Sequence, residues 1–104
     1  MNTRQACYVA ADHIESHPKQ YEFTSNQVPE CGTTGCAAGW VGYYAGLKDN
    51  VHDVTKQLFG VGLLTFLTEL DHEFPSWHSR PSIAAKALRW YADKHFPNDE
   101  STGA

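Results

Sequence analysis

Apolar residues near the start of the chain recur at Cys7, Ala10, Ala11 and Ile14, the i, i+3, i+4, i+7 spacing of one helix face. The spacing predicts a helix from about Thr3, read as its N-cap, to about Ser16. Pro18 ends it, because a proline pushes the residue before it out of helical geometry. In the stretch 18-PKQYEFTSNQVPE-30, Tyr21 and Phe23 alternate with polar residues, which predicts a long connection holding a short extended segment or a small hairpin. A second helix is expected from about Gly35 to Gly46. A third is capped by 48-KDN-50, with Val51, Val54, Leu58 and Phe59 as its apolar positions and Gly60 just past its end. Leu63, Phe66, Leu67 and Leu70 mark a fourth helix, Leu63 to Asp71. The segment 72-HEFPSWHSRPS-82 holds two prolines and reads as a loop. A fifth helix, Pro81 to His95, turns Ile83, Ala87, Leu88 and Tyr91 inward. The pattern predicts an all-α fold: one domain over residues 1–97, built of four to five short helices with the second most buried, and a mobile polar tail over 98–104.

The second helix breaks the usual rules. In 31-CGTTGCAAGWVGYYAGL-47, glycines recur at Gly35, Gly39, Gly42 and Gly46, against a bulky stripe of Cys36, Trp40, Tyr43 and Leu47. An interior glycine costs a helix about 1 kcal/mol relative to alanine, so Gly39 and Gly42 together cost about 2 kcal/mol that something must offset. A column without side chains lets another backbone, a ring or a ligand lie directly on the helix; close packing by helix one or helix five is the expected use. The entrance offers more. Thr33, Thr34, Gly35 and Cys36 set hydroxyls and N–H groups at the positive end of the helix dipole, a candidate site for a nucleotide-like or other anionic ligand. Arg4, His13, His17, Arg80 or Arg89 would have to complete such a site, and Trp77 or Tyr21 could stack on a base.

Charge and composition narrow the functions. The 104 residues suffice for one core, and the net charge of −4, from 12 acidic against 8 basic side chains, disfavours nucleic acid as a partner. No run of about 18 apolar residues would span a membrane, and the polar N-terminus lacks the apolar centre of a signal peptide, so a cytoplasmic location is expected. Three cysteines, Cys7, Cys31 and Cys36, are an odd set and argue against a disulfide framework. Zinc bound by His13, His17, Cys31 and Cys36 is chemically conceivable, but the Cys31–Cys36 spacing of five falls outside the usual range. Buried thiols, and histidines closing a helix C-terminus, are preferred, with no cofactor expected. Cys36 at a helix N-terminus would have a lowered pKa and could serve a small thiol enzyme, but His52, His72, His78 and His95 fall in no peptidase-like setting.

The residues His17, Pro18, Cys31, Gly32, Thr33, Cys36, Ala38, Gly39 and Trp40 spell a distinctive signature, His-Pro followed by Cys-Gly-Thr-x-x-Cys-x-Ala-Gly-Trp. In this the chain resembles a set of small uncharacterised proteins of phages and bacteria, over roughly residues 11–46. The resemblance implies a kind of protein and no mechanism: an accessory protein that acts by binding host machinery. Outside that stretch, Trp77, His78 and Arg80 in the proline-bounded loop, with Arg89 beside Trp90, are candidate partner contacts, since aromatics flanked by arginine anchor interfaces. Trp77 could equally fold back over the core. An acidic run, Glu69, Asp71 and Glu73, faces Lys86, Arg89 and Lys94, and would matter if it clustered around a pocket. The function expected is therefore non-enzymatic binding of a host protein, for which inhibition of a host defence system is one role. Sequestration of a nucleotide-like anion and thiol catalysis by Cys36 are the alternatives.

Overall fold

The first helix is capped one residue earlier than its apolar pattern suggests. In the computed structural model, which describes residues 2–25, 27–30, 33–48 and 50–97, the Asn2 side chain accepts the Gln5 N–H at 2.8 Å and the Gln5 side chain accepts the Asn2 N–H at 3.1 Å. This reciprocal box satisfies N–H groups that a helix start leaves without partners. From it, α1 runs Thr3–Ser16 and buries Ala6, Cys7, Ala10, Ala11 and Ile14. Opposite lies α5, Pro81–His95, which buries Ala84, Ala85, Ala87, Leu88, Tyr91 and Ala92. Small side chains on both faces let the two helices approach closely. The other neighbour of α1 is α2, Ala37–Tyr44.

The remaining helices cover the ends of this layer. Asn50 caps α3, Val51–Val54, by accepting the Asp53 N–H at 3.1 Å. α3 runs without a break into a π-helical stretch, Thr55–Phe59, which Gly60 ends at φ 73°, in the left-handed region glycine enters without a Cβ clash. α4, Leu63–Glu73, buries Phe66 and Leu70; Leu63 and Leu67 are half-buried. Trp77 then drops into the core from the turn before α5. The architecture is all-α, a single domain of five helices among the described residues, as the periodicity predicts. The tail expected at 98–104 lies outside the described residues. Among those residues, no helix is long and apolar enough to cross a membrane.

The 18–30 connection takes the first of its two expected forms, short extended pieces rather than a hairpin, among the described residues. It opens with a 3-10 turn, Pro18–Gln20, then makes one parallel bridge, Tyr21 to Gly35, and one antiparallel bridge, Gln27 to Asn50. One expectation needs correction: the glycine column is packed at Gly35, Gly39 and Gly42, but by neither α1 nor α5. A Cβ at Gly35 would fall 2.7 Å from Pro29 Cγ, and one at Gly39 would fall 3.2 Å from the Gln27 carbonyl oxygen. At Gly42 it would meet Val54 Cγ2 at 2.7 Å and Val28 Cγ2 at 3.0 Å. The 27–30 strap and α3 therefore occupy the space side chains would need. The physical reason is that α1 already uses the side-chain-bearing face of α2, while an irregular strap must bring its own backbone close. The limits of α2 shift for the same reason. Gly35 is spent on the bridge, and Gly46, at φ 83°, closes the helix with the Gly42 carbonyl accepting the Leu47 N–H at 2.9 Å.

Candidate functional site

Residues 13–21 and 35–44 are brought together at the C-terminal end of α1. His17 closes that helix, its N–H bonded to the His13 carbonyl at 2.8 Å, and Pro18 starts the 3-10 turn that delivers Gln20. The Gln20 carbonyl accepts two donors, the Gly35 N–H at 2.9 Å and the Trp40 indole N–H at 3.0 Å. Its side-chain oxygen lies 2.7 Å from His13 Nε2, and His13 Nδ1 lies 2.7 Å from the Tyr44 hydroxyl. The His13 ring stacks on Trp40 at 3.9 Å between centroids and on His17 at 4.7 Å. An amide oxygen only accepts, so in the neutral imidazole this geometry calls for the proton on Nε2, with Nδ1 left to accept the Tyr44 O–H. The order is hydroxyl, imidazole, orienting acceptor, with both His13 and Tyr44 half-buried.

The entrance to α2 is arranged differently from the anion site the sequence suggests. The Thr33 hydroxyl donates to the Glu30 carbonyl at 2.7 Å and accepts the Glu30 N–H at 2.8 Å, closing a turn on itself. The Thr34 hydroxyl donates to the Glu22 carboxylate at 3.3 Å, and the Gly35 N–H belongs to Gln20. These groups have internal partners, and one partner is an anion. Cys36 is the N-cap: its Sγ accepts the Gly39 N–H at 3.4 Å. Only 6% exposed, its thiol is pushed up by burial, which outweighs the N–H groups of Gly39 and Ala38 acting the other way. This is opposite in direction to the lowered pKa expected of a helix-start thiol. Of the zinc set, His13 has both ring nitrogens engaged, Cys36 is a cap, His17 is exposed and Cys31 lies outside the described residues. No group of three or more His, Cys, Asp or Glu among the described residues could hold a metal ion.

The four candidate partner contacts separate into two kinds. Trp77, 1% exposed, folds back: its indole N–H donates to Asp71 at 2.5 Å and its carbonyl accepts the Tyr21 hydroxyl at 3.0 Å. Arg89 forks onto α1, reaching Glu15 at 3.0 and 3.2 Å and Asp12 at 2.6 Å, and so ties α5 to α1. His78 and Arg80 are exposed. Beside them stands a third exposed side chain, which the sequence pattern does not single out as a contact. Phe23, 36% exposed, is edge-on to Trp77 at 5.1 Å and to His78 at 5.5 Å. Between polar Glu22 and Thr24 the ring reads as the inward member of an alternating segment, so no sequence signal marks it as facing out. The acidic run does border an open cavity of about 620 Å³, lined by Leu64, Thr65, Thr68, Glu69, His72, Glu73 and Lys94, but Asp71 is turned to Trp77 and Glu69 is bonded to Lys94 at 3.0 Å and to His95 at 2.8 Å. No family model matches the chain, and neither curated proteins nor solved structures yield a match.

Proposed function

We propose that this protein binds and modulates a host protein, as a small accessory protein of the phage type, with inhibition of a host defence system as its role. The observation that carries the reading is Phe23, an exposed ring braced from behind by the buried Trp77 and from the side by His78, with Arg80 on the same turn. A ring held this way gives up little conformational freedom on binding, and aromatic and arginine side chains dominate the energetics of protein interfaces. The complementary partner surface is an apolar pocket rimmed by carboxylates that meet Arg80. The resemblance of the His17–Trp40 spelling to small phage and bacterial proteins points the same way. Sequestration of an anion at Thr33 and Thr34 draws no such support, because their hydroxyls and the Gly35 N–H are bonded within the chain.

The test compares tagged parent protein with the double variant Phe23→Ala/Arg80→Glu after incubation with host lysate. The reading expects a host protein retained by the parent and lost from a variant that melts at the same temperature. Retention of no host protein by the parent contradicts binding; equal retention by both contradicts the Phe23 edge.

A further inference from the structure

We propose that Tyr44, His13 and Gln20 form a reactive triad in which the Tyr44 hydroxyl is an acyl acceptor. This goes beyond the binding edge and does not depend on it. Three side chains from separate elements converge in the order a nucleophilic site requires: a hydroxyl, a base 2.7 Å from it, and a third group 2.7 Å from the far nitrogen of that base. Gln20 selects the tautomer, since its oxygen holds the Nε2 proton and leaves Nδ1 basic toward Tyr44. Stacking between Trp40 and His17 keeps the imidazole plane in place. The rings of Trp40, Tyr43 and Tyr44 pack against one another along α2, with Tyr43 edge-on to Tyr44 at 5.0 Å between centroids. A phenol oxygen activated by an imidazole attacks an electrophilic carbonyl carbon, so the substrate class is an activated ester.

In the reaction, the Tyr44 oxygen attacks the ester carbonyl carbon as its proton passes to His13 Nδ1. The tetrahedral adduct then collapses, the bond from carbon to the leaving aryl oxygen breaks, and the proton on Nδ1 passes to that oxygen or, where the phenolate is a stable anion, to water. The products are an acyl ester on Tyr44, neutral His13 and the released phenol or phenolate. Throughout, Nε2–H donates to Gln20, which positions the imidazolium while it carries the extra proton. Tyr44 and His13 are the groups that touch the reacting atoms, and Gln20 is a positioning residue.

The neighbouring tyrosine supplies an internal control. Tyr43 is half-buried on the same helix and has no bond to His13 among its described contacts. The experiment treats the full chain with p-nitrophenyl acetate and locates the acetyl group by peptide mass spectrometry over time. Acetylation of Tyr44 roughly 100-fold faster than Tyr43 is expected, the scale of a positioned general base. His13→Phe, which keeps a ring against Trp40, should remove that advantage, while Gln20→Glu, which keeps an acceptor oxygen, should preserve it. Equal labelling of Tyr43 and Tyr44 in the parent would overturn the proposal even if His13→Phe failed to fold. Selective labelling that persists in a folded His13→Phe protein would overturn it too.

Discussion

Substituting Gly42 by alanine sets two effects against each other whose sizes can be stated. Alanine in place of glycine inside a helix is worth about 1 kcal/mol in favour of folding. At Gly42, however, the new methyl would fall 2.7 Å from Val54 Cγ2 and 3.0 Å from Val28 Cγ2, well inside contact distance. Val54 is fully buried and β-branched, so it has no spare rotamer to swing into. Overpacking of this kind costs about 1–3 kcal/mol. The net expectation is a loss of about 1 kcal/mol, which in a domain of this size lowers Tm by about 4–8 °C. Val54→Ala alone removes two buried methyls and should cost about 2 kcal/mol at roughly 0.8 kcal/mol each plus the cavity left behind. The double variant Gly42→Ala/Val54→Ala should then be more stable than the sum of the two single effects by about 1 kcal/mol or more, because the methyl added at position 42 fills space vacated at 54. Urea unfolding of all four proteins measures the cycle. A Gly42→Ala protein more stable than the parent, or strictly additive effects, would refute the claim that the 27–30 strap and α3 close over the glycine column.

Other substitutions separate the remaining forces. Gly46→Ala should cost about 1 kcal/mol although nothing lies within 4 Å of the added Cβ, because φ is 83° there; Gly62→Ser, at the uncapped start of α4 with ordinary φ, should gain a few tenths of a kcal/mol, and thermal melts distinguish the two signs. Trp77→Ala should cost about 3–5 kcal/mol in urea unfolding, the loss expected when a fully buried indole is truncated. Acid should destabilise the fold partly through Glu69: burial opposes its ionisation, but hydrogen bonds from His95 and Lys94 prevail and hold the carboxyl below its ordinary 4.5. Its proton is then bound more weakly in the folded chain than in the unfolded one, so its contribution is complete above about pH 4.5 and is lost as pH falls further. Urea midpoints across pH 3–6 should fall less steeply on acidification in Glu69→Gln than in the parent.

Periodicity carried α1 and α5 well, because a stripe such as Cys7, Ala10, Ala11 and Ile14 is a local consequence of burying one helix face. It failed wherever one residue type permits several conformations. Gly35, Gly39, Gly42 and Gly46 look alike in the sequence, yet they serve a bridge, two close approaches and a left-handed cap. The π-helical Thr55–Phe59 is not legible in the sequence, since its apolar residues, Leu58 and Phe59, fit an ordinary helix equally well over so short a span. At the site, the residue types were visible and their pairings were not. Trp77 and Phe23 are both aromatic loop residues, and which one faces solvent depends on Asp71, six residues before Trp77, and on Tyr21, 56 positions away, both of which bond to Trp77. His13 and Tyr44 are 31 positions apart, so their hydrogen bond follows from how α1 and α2 pack rather than from any local spacing. Thr33 stands before a helix, the position of an anion ligand, yet its hydroxyl closes the Glu30 turn.

The binding reading is tested most directly by photo-crosslinking in host cells, with p-benzoyl-phenylalanine placed at position 23 or, as a control, at position 64. Leu64 is a fair comparison: it is a large apolar side chain, 77% exposed, at the end of α4 remote from the Trp77 turn. The account predicts a discrete adduct with one host protein from position 23, absent from position 64. No adduct at position 23, or the same adducts from both positions, would contradict it.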